Sequence, residues 1–415
     1  MSDAAGARPA NTRLAVLIAA RDEEERIGAT VERLRMLLPG AAVVVADDGS
    51  RDRTAAVAAA AGARVVRLPR RGKGQALSLA EPTIPPGPLL LCDADVDGDL
   101  RPLLDTGADV AVAAFARRSG GGFGLVKRAV RGLVQLRGAQ RLREPLSGQR
   151  ALSAGARAAL FPVAAGFGVE TRMAVDAARA GLSTVEVELD LAHRATGRDL
   201  GGFAHRGRQL VDALLACGPQ GISFRGLRLP LVGLAVGAAV PAALPVALAG
   251  LADDLWSGPE RGFRAHLRSG RTTGVLKLVA IPAYGLVRTR SLSGALLVGL
   301  AANAVNQLDT RPGRALKAFL LGTALLGARP RRAVALAVLL APYDLREMAM
   351  LGDAGSNALG AVLGLESVRR LTGRQRAGAV VALGALTTLG ERRSLGGLIE
   401  ATPVLRELDA LGRAP

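Results

Sequence analysis

Three acidic stretches in the first half of the chain, Asp22-Glu23, Asp47-Asp48-Gly49-Ser50 and Asp93-Ala94-Asp95, and a further pair in the second half, Asp253-Asp254, are the residue groupings best suited to chemistry. Asp93 and Asp95 are separated by one residue, so an extended segment turns both carboxylates to the same side. That spacing suits a hard divalent cation, Mg2+ or Mn2+, which keeps several waters and accepts phosphate oxygens as its remaining ligands. Lys73 lies between Gly72 and Gly74, where the backbone can come close to a diphosphate while the ammonium offsets its charge. The adjacent carboxylates of Asp253 and Asp254 repel each other and need a compensating partner, which a divalent cation and Lys277 would supply. Asn303, Asn306, Asp309 and Asp353 follow, and on a helix Asn303 and Asn306 share a face. The chemistry such groups fit is transfer at a diphosphate.

The elements that must hold these groups differ between the two halves. LAVLIAA (14–20) is continuously apolar and reads as a buried parallel strand, and the segment after it has Ile27, Val31, Leu34 and Leu38 at helical spacing. AAVVVADDGS, TAAVAAAAGA, RVVRLP and LLLCDADVD continue the alternation of strand and helix, which predicts a doubly wound parallel sheet. Ligands of such sheets bind beyond the carboxyl ends of the strands, where all three acidic stretches fall. After residue 220 the text turns to Ala, Leu, Val and Gly. Leu229–Ala252 holds no charged residue, and further apolar stretches follow at 275–287, 292–305, 315–328, 333–342 and 377–389. These predict an all-α, multi-span membrane domain whose hairpins return the polar groups to one membrane side. The expected organisation is a disordered terminus over 1–12, an α/β domain over 13–220, a membrane domain over 221–393 and an amphipathic segment over 394–415.

A formal charge of +18 allows nucleic acid, anionic lipid or phosphorylated substrates as partners. Aromatic residues make up 3% of the chain and the arginines form no single stripe, which argues against nucleic acid. Cys92 and Cys217 are far apart in apolar contexts and read as reduced thiols. The N-terminus lacks an apolar core before a cleavage site, so the first domain is expected on the cytoplasmic side of a cell membrane.

The order of motifs over residues 13–215 resembles the family 2 glycosyltransferases with a GT-A fold, most closely the glucosyl-phosphoglycerate synthases and polyprenyl-phosphate glycosyltransferases. "AARDEEERIGATV" looks like the family's nucleotide-contact segment, "VVVADDGSRDRT" its uracil and ribose segment, "GKGQAL" its basic segment and "CDADVD" its metal-binding motif. The resemblance implies a nucleoside diphosphate sugar donor contacted by Asp22, Glu23, Asp48, Lys73 and Asp93, with Asp95 on Mg2+ or Mn2+. It further implies that Ser147 and Gly148 of LSGQRALSAG adjoin the acceptor. His193 falls where the phosphoglycerate branch has a metal-ligating histidine, with Arg194 and Arg198 beside anionic groups, and His205 is a weaker candidate for the same work. Glu170 is read three ways: as general base, as anchor for the donor sugar, or as a carboxylate favoured at a helix start.

Residues 228–412 resemble the polyprenyl-phosphate phosphosugar transferases, the superfamily of phospho-MurNAc-pentapeptide translocase, through "GLADDL", "TTGVLKL", "NAVNQLDTRPGRALK" and "MLGDAGSNALGA". By that similarity Asp253, Asp254 and Asp353 serve metal binding or phosphate activation, while Lys277, Asn303, Asn306 and Asp309 hold phosphates. Here TRPGR replaces the second half of the asparagine motif, and the family's histidine loop is absent. The reading is a membrane-associated, metal-dependent hexosyltransferase acting on polyprenyl phosphate or another phosphorylated acceptor in envelope glycan or glycolipid synthesis. Its alternatives are a bifunctional protein whose membrane half transfers a phosphosugar, and a lipid-binding scaffold without turnover.

Overall fold

The structure is a computed structural model that describes residues 14–115, 125–191, 200–256 and 273–413, with the backbone alone for 125–127, 200–206 and 273–276. The expected disordered terminus over 1–12 lies outside the described residues. The chain divides into two compact units, one ending at Gly218 and the other beginning at Pro219.

In the first unit the elements run β1 (Ala15–Ala20), α1 (Ile27–Leu37), β2 (Ala42–Asp47), α2 (Thr54–Ala60), β3 (Arg64–Arg67), α3 (Lys73–Ala80), β4 (Leu89–Asp93), β5 (Val110–Phe115), α4 (Leu125–Leu136), β6 (Arg150–Leu152), α5 (Ala154–Leu160), α6 (Val169–Arg179), β7 (Thr184–Leu189) and α7 (Leu200–Cys217). The continuous apolar strands are buried on both sides, as a sheet covered by helices on each face requires. Val16, Ile18, Val43 and Val45 point into one core with Ile27, Val31 and Leu34 of α1. Their neighbours Ala15, Leu17, Val44 and Ala46 point into the other, with Ala76, Leu77 and Ala80 of α3 and Val169, Met173 and Ala177 of α6.

The seven strands lie in the order β3-β2-β1-β4-β6-β5-β7. Register brings the ends of the first strands level: Ala20 pairs with Asp47, Ala19 with Asp93 and Asp47 with Arg67. The sheet is mixed rather than wholly parallel, because the three-residue β6 runs antiparallel to both β4 and β5. Leu91 pairs with Arg150 and Leu89 with Leu152, so the segment entering β6 arrives beside the carboxyl end of β4.

The second unit begins with a small hairpin, β8 (Gln220–Ile222) and β9 (Arg228–Pro230), and continues with α8 (Leu234–Ala239), α9 (Leu244–Trp256), α10 (Thr273–Thr289), α11 (Leu292–Leu308), α12 (Arg314–Leu325), α13 (Arg331–Leu345), α14 (Gly352–Arg370), α15 (Gly373–Arg392), α16 (Leu395–Ala401) and α17 (Pro403–Ala410). Helix α14 is its axis. A Cβ at Gly360 would lie 2.5 Å from the Ala301 carbonyl oxygen, one at Gly364 would lie 2.6 Å from the Val298 Cα, and one at Gly250 would lie 2.3 Å from the Asp353 carbonyl oxygen. Only glycine lets α9, α11 and α14 cross this closely. Phe319, Leu316, Val236 and Leu359 fill the core around them.

The expectation of a multi-pass membrane domain is overturned, since no helix among the described residues is long and apolar enough to cross a membrane. The run Leu229–Ala252 is the clearest case. It folds as β9, the short α8, a 3₁₀ turn over Pro241–Ala243 and α9, interrupted where Pro241 has no N–H to continue α8. Over residues 394–413 the chain forms two short helices parted at Thr402-Pro403.

Candidate active site

In the first unit, residues from three elements meet at the carboxyl edge of the sheet. Gly72 adopts φ 101°, a left-handed conformation natural to glycine, and launches α3 with Lys73 as its first residue. The Lys73 ammonium donates to Asp93 Oδ1 at 2.6 Å and to Glu170 Oε1 at 2.7 Å. Burial alone would pull this ammonium down, but the two carboxylates more than offset it and hold the lysine above its usual range. Glu170 is buried in the first turn of α6. Asp93 ends β4, and its Oδ2 accepts from Gln149 Nε2 at 2.9 Å, while the Ser147 hydroxyl donates to Gln149 Oε1 at 3.2 Å. Gly148 lies against this carboxylate, so that a Cβ there would fall 2.4 Å from Asp93 Oδ2.

Other predicted donor residues are engaged with the backbone. Asp48 is buried and accepts from the N–H of Arg71 at 2.6 Å and of Gly72 at 2.9 Å, which ties the basic loop to the end of β2. Burial pushes its carboxyl up, partly offset by those amides. Asp22, at φ 54°, accepts from the Arg51 N–H at 2.8 Å, and the Glu23 N–H donates to Thr54 Oγ1 at 2.8 Å, so both fasten the loop after β1 to the loop after β2. Asp95 is partly buried in a turn beyond β4 and not on the strand itself, so the strand-face argument does not govern its placement. His193, Arg194 and Arg198 lie outside the described residues, and His205 lies on α7 where the backbone alone is described.

The Asp93–Asp95 turn fits a hard divalent cation. Asp93 and Asp95 supply hard carboxylate donors two residues apart at the end of β4, and at Gly148 glycine backbone stands where a side chain would crowd Asp93. Among the described residues no group of three His, Cys, Asp or Glu side chains could hold a metal, so waters and phosphate oxygens would complete such a shell. Sequence reasoning missed Gln149 and Arg150. Arg150 is fully buried, donates to the carbonyls of Ser147 and Pro145 at 3.0 Å each, and is pulled down to about 10 by that burial. A polar pair within LSGQRAL, flanked by residues that form strand, was the available signal.

In the second unit the adjacent aspartates separate in role. Asp253 at the end of α9 meets the Lys277 ammonium of α10 at 2.5 Å, and Lys277 also contacts Asp353 on α14. Asp254 accepts instead from the backbone N–H groups of Asp353 and Ala354, each at 2.9 Å, and so caps the N-terminus of α14 from another helix. Burial and a hydrogen bond shared with Asp253 push Asp353 up to about 7 against the pull of Lys277. Asn306 accepts from Ser356 Oγ at 2.7 Å, whereas Asn303 donates to Thr387 of α15 at 3.2 Å, so these two asparagines serve different neighbours. Burial, followed by Asp344, Asp353 and Asp254, holds Asp309 well above the carboxylate range. The TRPGR arginines face the C-terminal helices: Arg314 grips Asp409 at 2.9 and 2.6 Å, and Arg311 pairs with Glu400 at 2.9 Å.

The sequence matches the Glycosyl transferase family 2 profile over residues 15–143. It is 36% identical over 256 residues to the glucosyl-3-phosphoglycerate synthase of Mycolicibacterium smegmatis, covering 51% of this chain and 80% of that protein. It is also 32% identical over 173 residues to the glycosyltransferase AglJ of Haloferax volcanii, covering 38% of this chain and 56% of that one. Among solved structures, the glucosyl-3-phosphoglycerate synthase of Mycobacterium tuberculosis in complex with Mn2+, UDP-glucose and glycerol 3-phosphate aligns with a TM-score of 0.41 and 28% identity, over 49% of this chain and 79% of that one. With this similarity spanning four-fifths of a curated relative, the chain belongs to glycosyl transferase family 2 and is a glycosyltransferase.

Proposed function

We propose that the first unit transfers a hexosyl group from a nucleoside diphosphate sugar to a phosphorylated acceptor, in a reaction that depends on Mg2+ or Mn2+. The observation that carries the reading is the Lys73 ammonium held between Asp93 and Glu170 at the carboxyl edge of a family 2 sheet. Asp95 and Asp93 would hold the cation, which supplies charge neutralisation at the departing diphosphate. The chain's own part is to bind and orient. Lys73 offers a cation beside the diphosphate, and the loops tied down by Asp22, Glu23 and Asp48 shape the nucleotide side. Ser147 and Gly148 border the acceptor side. Glu170 keeps Lys73 in place and, in this reading, anchors the donor sugar.

The relatives named for glucosyl-3-phosphoglycerate synthesis favour a small phosphorylated acid as acceptor. The test is product identification by mass spectrometry, with a panel of nucleotide sugars offered to 3-phosphoglycerate and, separately, to polyprenyl phosphate in detergent, with and without Mn2+. Metal-independent turnover, or turnover unchanged in Asp95→Asn, overturns the reading.

A second reading is favoured by the contacts of Lys277 with Asp253 and Asp353, in an order of motifs resembling the phosphosugar transferases. In that reading the second unit binds, or itself processes, a lipid phosphate. Exposed Leu292, Leu325 and Val287 give its helices an apolar exterior suited to a polyprenyl chain. Exchange of labelled UMP into a UDP-sugar that requires polyprenyl phosphate and is lost in Asp353→Asn is the expected result. No exchange leaves that unit without transfer chemistry.

A further inference from the structure

The segment leading into β6 does more than border an acceptor. Gln149 is 4% exposed, and its amide spans two functional groups. The Ser147 hydroxyl donates to Oε1, which fixes the amide so that its NH2 end faces Asp93 Oδ2 at 2.9 Å. Asp93 Oδ1 meets Lys73, and Lys73 meets Glu170, so a continuous polar chain runs from the 147–149 segment through Asp93 to the donor-side lysine. The segment is held from beneath, where Arg150 donates to the carbonyls of Ser147 and Pro145. Its backbone passes so near Asp93 that residue 148 carries no side chain. A carboxylate gripped on one oxygen by an ammonium and on the other by an amide has little freedom to rotate.

We infer that Gln149 is a positioning residue: through Asp93 it sets the orientation in which the Asp93–Asp95 turn meets a divalent cation and the donor diphosphate. This rests on the donor-and-metal reading of the first unit. Partners behind a ligating group typically alter metal affinity about 10- to 100-fold when removed. A leucine at 149 keeps the volume and removes both hydrogen bonds; alanine at 147 removes only the hydroxyl that fixes the amide. The inference is specific in naming Asp93 as the route, so the effect of Gln149 must vanish once Asp93 has lost its charge.

The test measures Mn2+ binding by the full chain in the presence of UDP, by electron paramagnetic resonance of free Mn2+, alongside thermal melting. In Gln149→Leu we expect Mn2+ affinity about 10- to 100-fold weaker with the melting profile retained, and a donor KM raised more than kcat is lowered. In an Asp93→Asn background, Gln149→Leu should change Mn2+ affinity by less than about twofold. Wild-type affinity in a folded Gln149→Leu, or an equal loss in the Asp93→Asn background, overturns the inference. Should Gln149→Leu fail to fold, Ser147→Ala decides: a several-fold weaker Mn2+ affinity supports the inference and an unchanged one overturns it. A wild-type chain that binds no Mn2+ with UDP overturns the donor-and-metal reading itself, an outcome distinct from a binding wild type beside an equally binding variant.

Discussion

One ammonium shared by two carboxylates leaves the Lys73, Asp93 and Glu170 group with a net negative charge in a mostly buried setting. The lysine stabilises the group, because without it the buried Glu170 carboxylate would lose its cation. Glu170 Oε1 is taken up by the Lys73 ammonium at 2.7 Å, the geometry of an anchor. We therefore expect Glu170→Gln, which still accepts from Lys73, to lower kcat by about tenfold, short of the 10²- to 10⁴-fold typical of removing a general base. Lys73→Ala should cost more, about 10²- to 10³-fold in kcat/KM, as loss of a cation aimed at developing charge does. Steady-state kinetics on the two variants separate anchor from base: a drop of 10³-fold or more in Glu170→Gln assigns it the proton. Elsewhere at this scale, Asp344 is buried and its carboxyl is pushed up to about 6, chiefly by that burial. A folded-state value above the unfolded one means that the folded form holds the proton more tightly. Its contribution is fully present below about pH 4 and is lost as pH rises through about 6. The second unit should therefore melt lower at pH 8 than at pH 5. Asp344→Asn, whose oxygen can still accept the Gly313 N–H, should flatten that dependence and stabilise the unit at pH 8 by about 2 kcal/mol.

At the scale of elements, the clearest device is a side chain from one helix capping another. Asp254, next in sequence to an aspartate that pairs with a lysine, takes the Asp353 and Ala354 amides in the first turn of α14. Asp254→Ala leaves those amides without their acceptor and should lower stability by about 1–2 kcal/mol, with Asp254→Asn costing less. Equal melting of Asp254→Ala and wild type would show that the cap contributes nothing. The division of labour between Asp253 and Asp254 was hidden in the sequence, where adjacent carboxylates suggested one shared cation. What was readable there was local: the continuous apolar runs of β1, β2 and β4 and the helical spacing of Ile27, Val31 and Leu34 need only neighbouring residues to be recognised. The antiparallel β6 was not readable, because a strand of three residues carries almost no period and its direction is set by partners far along the chain. The Leu229–Ala252 run misled for a related reason. Apolar composition reports burial, whereas the length of a helix depends on where its hydrogen-bond ladder breaks, and Pro241 breaks it. Gln149 escaped notice because its meaning lies in what stands opposite it.

At the scale of the whole molecule, the two units carry separate cores. The first packs two apolar layers on either side of its sheet. The second builds its core from Phe319, Leu316, Val236 and the helices around them. The seam falls between Gly218 and Pro219, just after α7 ends at Cys217. A unit that ends at Gly218 has the size at which a single core supports independent folding. Lys73, Asp93, Gln149 and Glu170 all lie before that seam. They bond to one another and to the Ser147 hydroxyl, all within that unit. We therefore expect a fragment of residues 1–218 to unfold cooperatively and to bind UDP in the presence of Mn2+ within about threefold of the full chain, a difference of under about 1 kcal/mol. Calorimetric titration of the fragment and the full chain decides the matter. A fragment that folds yet binds UDP ten times more weakly would mean that the second unit completes the donor site. Equal donor binding with loss of transfer would instead assign the second unit to the acceptor, the outcome expected if its Lys277, Asp253 and Asp353 group holds a phosphate.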